Sequence, residues 1–414
     1  MVQNLEINSN QIDKIKKITK EEKNFRVKNL NFFNSVGFPN KRLEDWKFTD
    51  FKEIINKNFD KIETKKISFD FKKINFIKDF EHNYILLVNG SLNSSNFEFE
   101  EKKKIKINSY NSIDDYKFST NPLVSLNHAL AETGYSLEID KNYKFKKTLV
   151  IYNLFTKSIK NKILNNKNKI ILNENSELHI LDYTINESKF INNVYENVIL
   201  KKNSKLKKLY IQDKKSDGYF HKFLKNELFS NSDYSSLIFS SGLKFNKLDF
   251  ECDLLEKNCK CDILSALFLK NNEHQEVKTK INHLAPNCKS YQRVKKVLSS
   301  ESKGVYQGKI YVKDIAQKTD AYQLSKALLL NDTAEFNSKP ELEIYADDVK
   351  CSHGSTSGSI DEDSLYYLKT RGLTHEEATR LLIKGFLNDV IEFIKSKSIK
   401  KFIESKVEEQ INGY

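Results

Sequence analysis

Lys169–Leu181, read as KIILNENSELHIL, decides the fold of this chain. Apolar-rich runs at Lys169–Leu172 and Leu178–Leu181 flank a polar centre, Leu172-Asn-Glu-Asn175-Ser176. The same Leu-x-x-Asn-(Ser/Cys) text returns at Leu200-Lys-Lys-Asn203-Ser204, Leu228-Phe-Ser-Asn231-Ser232, Leu255-Glu-Lys-Asn258-Cys259 and Leu284-Ala-Pro-Asn287-Cys288. The leucines advance by 28, 28, 27 and 29 residues. A period in this range marks a solenoid, a propeller or an array. Each unit reads as strand, Asn-Ser turn, strand, because Asn tolerates the left-handed conformation and bonds its own backbone in turns. Helical periodicity is weak here. A β-solenoid follows, in which stacked coils bury an apolar core that no single repeat could bury alone.

The bulk composition bounds the rest. A chain of 414 residues could hold two or three domains, but elongated all-β folds often use that length as one unit. Lys+Arg 69 against Asp+Glu 56 leaves a net charge of +13. The lysines are scattered among Glu, Asp and Asn, and no aromatic-interleaved basic motif stands out, so nucleic acid is not read as a partner. No apolar run approaches the ~18 residues of a membrane span. The opening MVQNLEINSNQIDKIKK lacks the apolar region of a secretory signal. Five cysteines, an odd number, read as thiols of a reducing compartment. The expected location is the cytoplasm, with a plastid-type organelle left open.

Both ends read as helical. In residues 10–60, Ile12, Ile15 and Ile18 recur at helical spacing, and the only tryptophan, Trp46, reads as a packing anchor. At the other end Asp361 suits an N-cap of a helix through Leu365, Tyr366 and Leu368 that stops at Gly372. Thr374-His-Glu-Glu377 reads as a capping box. An apolar stripe of Ala378, Leu381, Leu382, Phe386, Val390, Ile391 and Ile394 follows, with Arg380, Lys384 and Glu392 on the polar face. The expected divisions are an N-terminal helical region (1–60), an α/β linker (61–145), a solenoid core (146–358) and a C-terminal helical domain (359–414).

Between core and helices lies Lys339–Gly372, KPELEIYADDVKCSHGSTSGSIDEDSLYYLKTRG. Polar and apolar residues alternate over 342–344 and 349–353, the sign of a strand, and a Gly/Ser/Thr turn is expected after it. On a regular strand Val349, Cys351 and His353 share one face, with Cys351 and His353 about 7 Å apart. A thiol and an imidazole at that spacing suit a soft metal or an iron–sulfur species. Read alone, they could equally be a buried thiol and a satisfied core histidine.

This segment closely resembles the C-terminal signature of the SufB/SufD family of iron–sulfur cluster assembly proteins. The likeness runs upstream through His283-Leu-Ala-Pro-Asn287, Gly304-Val-Tyr-Gln-Gly-Lys309 and Thr319-Asp-Ala-Tyr-Gln323, about a quarter of the chain in order. Arg42–Phe51, around Trp46, resembles an N-terminal element of the SufD branch, and Cys-Ser-His-Gly-Ser-Thr is that branch's text at 351–356. The resemblance implies a right-handed parallel β-helix and a non-catalytic scaffold subunit. It implies as partners the paralogue SufB and the ABC-type ATPase SufC, with a homodimer as the alternative state of the isolated chain. His353 then falls on a residue implicated in cluster formation, as a transient metal ligand, with Cys351 beside it at the SufB interface. The cluster would be shared with the partner and not held stably by this chain alone. The helices around Thr374, Arg380, Leu381 and Phe386 would dock the ATPase.

Other candidates read more plainly. Cys259 and Cys261 lack the Cys-x₂-Cys spacing of a structural zinc site, and Cys259 and Cys288 stand where other repeats have Ser. Asp347 and Asp348 are adjacent, so on a strand they face opposite ways. No Walker loop, Gly-x-Ser-x-Gly elbow or His-Glu-x-x-His is present. The rivals are a β-helix enzyme acting on polysaccharide, which needs a ladder of carboxylates and basic residues in repeat register, and a homo-oligomeric scaffold.

Overall fold

The computed structural model describes residues 9–15, 18–59, 75–110, 117–186, 188–212 and 216–412. Parts of the expected N-terminal region and of the α/β linker, including residues 60–74 and 111–116, lie outside the described residues.

From the fourth strand onward, successive strands alternate between two sheets, as a two-sided coil requires. The first sheet runs β2 (Ser91–Asn96), β1 (Asn83–Val88), β5 (Leu149–Phe155), β7 (Glu177–Asn186), β9 (Lys205–Gln212), β11 (Asp233–Ser240), β13 (Lys260–Leu269), β15 (Lys289–Leu298), β17 (Thr319–Leu329) and β19 (Val349–Gly358). The second runs β3 (Ile105–Ser109), β4 (Tyr135–Ile139), β6 (Ile163–Leu172), β8 (Ile191–Leu200), β10 (Ser216–Leu228), β12 (Leu243–Leu254), β14 (His274–His283), β16 (Lys303–Val312) and β18 (Glu335–Ile344). From β5 and β6 onward every pairing is parallel. Inward positions such as Ile180, Leu206, Phe250, Ile263, Ile281 and Leu298 form one continuous core. The solenoid expected from the repeat is the fold.

The repeated asparagines explain the coil period. Asn175, Asn203, Asn231, Asn258 and Asn287 all have φ between 58° and 63°, the left-handed region that Asn enters more readily than most residues. That turn aims each Asn N–H along the stack. Asn175 donates to Lys202 O (3.0 Å), Asn203 to Ser230 O (2.9 Å) and Asn231 to Lys257 O (3.1 Å). The side chains stack too: Nδ2 of Asn203, Asn231 and Asn258 each donates to Oδ1 of the preceding Asn at 2.8–3.0 Å. Asn142, which lacks the leucine of the motif, is an earlier rung, accepting from Asn175 at 2.8 Å. After the Asn, Ser176 and Ser204 bond the carbonyl three residues back, and Cys259 does the same through sulfur. The cysteine at 259 is therefore a substituted turn residue.

Helices cover the outer faces. Against the second sheet lie α1 (Asn10–Asp13), α2 (Lys20–Val36), α3 (Phe51–Asn58) and α4 (Pro122–Leu130), with Leu30, Phe33, Trp46, Phe51 and Leu126 packed on Ile191, Tyr219 and Phe245. Trp46 is the anchor its size suggests, and Lys247 Nζ sits 4.5 Å from its ring centroid. Burial pushes the Lys247 amine down, but Asp249 and Glu276 more than reverse this, the latter at 2.8 Å. Thr49 donates to Glu276 at 3.0 Å, so the N-terminal segment completes this ion network.

Against the first sheet lie α6 (His375–Ile391) and α7 (Lys397–Asn412), and α5 (Glu362–Thr370) packs on α6. Of these, α6 and α7 supply Ile383, Leu387, Val390, Phe402 and Ile403 to a core with Leu181, Leu237 and Leu264. Asp361 caps α5 and the Thr374–Glu377 capping box opens α6, both as read. The stripe on α6 differs from the expected one. Its buried face is Ala378, Ile383, Leu387, Val390 and Ile391, while Leu381 is 49 % exposed. The helix buries one flank on the sheet and another on α7, which rotates the core face onto Ile383 and Leu387.

The left-handed turn gives a direct test. Asn231→Ala loses ladder bonds and forces a Cβ residue without a turn-bonding side chain into that conformation, for an expected loss of about 1–2 kcal/mol in urea unfolding. Asn231→Gly is expected to lose less than half as much. Equal losses would place the effect in the side-chain ladder alone.

Candidate functional site

The two ends of the solenoid are built differently. At the first coil the sheets end in β2 and β3, short strands of six and five residues that pair antiparallel with β1 and β4. At the last coil β18 and β19 have partners on one side only, β16 and β17. Two ten-residue strands thus end the sheets with unpaired N–H and C=O groups, which makes them templates for another strand.

Cys351 and His353 lie on β19, opposite Ala321 and Gln323 of β17. Ala321, Gln323 and Ser325 are buried on the inward side of their strand, so Cys351 and His353 share the inward-facing side at the open mouth. The expected common face is present. The residues at 342–344, however, belong to β18 in the other sheet. The expected Gly/Ser/Thr turn is also not a turn: Gly354–Gly358 continues β19 in register with β17. Gly354 stacks over Leu324, whose Cδ1 would lie 3.2 Å from an added Cβ, so a small residue suits that rung.

The two side chains differ in setting. Cys351 is half-buried against Ile310, Val312, Ala316, Ala321 and Ala346, and burial pushes its thiol up. His353 is exposed. Directly beneath it lies a buried polar stack that the sequence reading missed. Tyr306 OH lies 3.1 Å from Gln323 Oε1 and 3.4 Å from Gln292 Oε1, and Gln323 Nε2 donates to Glu341 O at 3.1 Å. A Cβ on Gly308 would collide with both Gln323 Oε1 and Tyr306 OH. The Gly304–Lys309 segment thus keeps a glycine where the stack needs space, and that was its available signal.

The mouth presents one imidazole and one thiol. Among the described residues no group of three or more His, Cys, Asp or Glu side chains is arranged to hold a metal ion. Cys252, Cys259, Cys261 and Cys288 are buried in the stack, away from the open end. Asp347 and Asp348 sit in the link between β18 and β19, where Asp348 N–H donates to Gln317 Oε1 at 2.9 Å. The rim carries exposed apolar side chains: Tyr345 is 60 % and Ile315 is 55 % exposed.

The α5–α6 corner is a second surface. Asp363, Ser364, Tyr367, Leu368, Leu381 and Leu382 line a groove there, and Tyr366 beside it is 70 % exposed. Thr374 is spent on the capping box, and Arg380 pairs with Glu376 at 3.3 Å. Phe386 faces inward, with Lys295 Nζ 4.6 Å from its ring centroid and donating to its carbonyl at 2.6 Å. Of the four residues read for docking, only Leu381 offers a large apolar surface.

Comparison with known proteins agrees with this architecture. The family model for the SUF system FeS cluster assembly SufBD core domain matches residues 154–386, more than half of the chain. The iron–sulfur cluster assembly protein SufD of Escherichia coli is 24 % identical over 91 % of this chain and 90 % of its own length. An iron–sulfur cluster assembly SufBD family protein of Synechocystis is 23 % identical over 89 % of this chain and 87 % of its own. The chloroplastic protein ABCI7 of Arabidopsis thaliana is 32 % identical over 56 % of this chain and 50 % of its own. A two-sheet parallel solenoid, the signature segment on its last strand and a core-domain match over most of the coils lead to one assignment: the chain belongs to the SufB/SufD family of SUF iron–sulfur cluster assembly proteins, as a SufD-type member.

Proposed function

We propose that this chain is a non-catalytic scaffold subunit whose open solenoid end is completed by a paralogous SufB chain. One observation carries the reading: the sheets end in short antiparallel strands at one end and in two ten-residue parallel edge strands at the other, where His353 stands. The cluster is cargo. Its ligand set would be shared, with His353 as a ligand or as a base that takes a proton from a partner thiol, and with Cys351 supporting the rung. Neutral imidazole and thiolate are the donors such a species takes. The Gln292–Tyr306–Gln323 stack would hold the strand beneath His353 in place.

The α5–α6 groove, with Leu381, Tyr366 and Tyr367 around it, is the proposed dock for the SufC-type ATPase. ATPase closure would then act on a helix seated on the same sheet as His353. Asp389 of α6 bridges Arg293 and Lys295 of β15 at 2.8 and 2.7 Å, two rungs from β19. A cytoplasmic or plastid setting, both reducing, suits free thiols at the site.

The polysaccharide reading is disfavoured because helices cover the outer faces of both sheets where such an enzyme needs an open groove. A homo-oligomeric scaffold would use the same open end. Co-purification with the paralogue and the ATPase separates that reading from ours.

Two variants test this reading. His353→Ala should change unfolding stability by no more than about 0.5 kcal/mol, because the residue is exposed. The same variant should abolish the cluster absorption of the anaerobically co-expressed three-component complex without dissolving it. Unchanged absorption would remove His353 from the role. Leu381→Asp should release the ATPase from the complex in size-exclusion chromatography while the paralogue stays bound. Retention of the ATPase would move the dock elsewhere.

A further inference from the structure

Cys259 and Cys288 occupy equivalent rungs of neighbouring coils, since the residues after them, Lys260 and Lys289, pair in register. Neighbouring strands stand about 4.8 Å apart, inside the Cα separation a disulfide spans, about 4.4–6.8 Å. Both thiols converge on one acceptor. Cys259 Sγ lies 3.0 Å and Cys288 Sγ 3.2 Å from Glu256 O. Ser176 and Ser204 bond a carbonyl of their own turn, whereas the Cys288 thiol reaches back into the coil that holds Cys259.

The two sulfurs have opposite tendencies. Cys288 beside it holds the Cys259 thiol below its usual value, against burial and helped by the Ser232 hydroxyl at 3.8 Å. The same contact and burial push Cys288 up. An ionisable thiol beside a protonated one is the pairing of a peroxide-sensitive cysteine with its resolving partner. Cys252 and Cys261 lie deeper, and burial pushes Cys252 well up. Each of the pair sits one residue past an exposed Asn, 258 or 287, so opening of that turn admits a water-sized oxidant more readily than a bulky disulfide.

We infer that Cys259 and Cys288 are a peroxide-closed dithiol that staples two coils of the solenoid. The Cys259 thiolate attacks hydrogen peroxide: an S–O bond forms, the O–O bond breaks, and the departing hydroxide takes a proton and leaves as water. The Cys288 sulfur then attacks the sulfenic sulfur of Cys259. The S–S bond forms, the S–O bond breaks, and the second hydroxide takes the Cys288 proton. Two thiols are oxidised by two electrons and one peroxide is reduced to two waters.

The test uses the full chain in its native state, treated with hydrogen peroxide, quenched, denatured and digested with trypsin. Serine at either position reproduces what Ser176 and Ser204 already do, so Cys259→Ser and Cys288→Ser are expected to fold. The wild type should lose two of its five thiols and yield the peptide containing Cys259 joined to that containing Cys288. Its melting temperature should rise. Neither Ser variant should form the link or gain the rise, and Cys252→Ser should behave as wild type. Oxidation confined to Cys351, a Cys252–Cys261 link, or unlinked sulfinic acid at Cys259 would overturn the assignment.

Discussion

Each coil of this protein satisfies its backbone through the next coil, and the left-handed asparagine turn makes that possible. Because every Asn of the series turns its N–H along the stack, the chain returns to the same register after 27–29 residues. Apolar residues then fall on inward positions in every coil and merge into one core. The same rule creates a debt at the ends, since the first and last coils have no neighbour. The chain ends in two short antiparallel strands on one side and in two ten-residue parallel edge strands on the other. The segment carrying Cys351 and His353 is built on the second of these ends.

The covering helices are fixed by different means on the two sheets. The N-terminal segment is held by Trp46 and by the ion network of Lys247, Asp249 and Glu276, all almost fully buried. Removing one partner from such a network strands a charge, so the segment is locked rather than loosely packed. Arg26, buried in α2, adds a second lock by donating at 3.1 Å to the carbonyls of Ala129, in the last turn of α4, and of Ala131, just past its end. The C-terminal helices lie on a leucine-rich sheet face and are registered by Asp389 against β15. Apolar packing sets no position along a strand, and Asp389 bridging two cations on alternate residues does.

Much of this was legible in the sequence because it depends on local chemistry repeated at a fixed spacing. Asn in a tight turn, Ser or Cys after it, and the Asp361 and Thr374 caps each act within a few residues. The shared face of Cys351 and His353 follows from strand alternation alone. What stayed hidden depends on partners distant in the chain. The α6 stripe was misplaced because α7 and the sheet divide the helix surface between them. Gly354–Gly358 reads as a turn from composition, yet pairing with β17 holds it extended. The Gln292–Tyr306–Gln323 stack and the interior Lys208–Glu196 pair, 2.6 Å apart, come together only when coils are superposed.

The central claim is that the last coil is completed by another chain. Hydrogen–deuterium exchange of the isolated chain and of its complex with the paralogue tests it most directly. The amides of β18 and β19 should exchange fast in the isolated chain relative to β13–β15 and become protected in the complex, with little change at β2 and β3. Protection that appears at β2 and β3, or a β18–β19 end that stays fast-exchanging in the complex, would contradict the account.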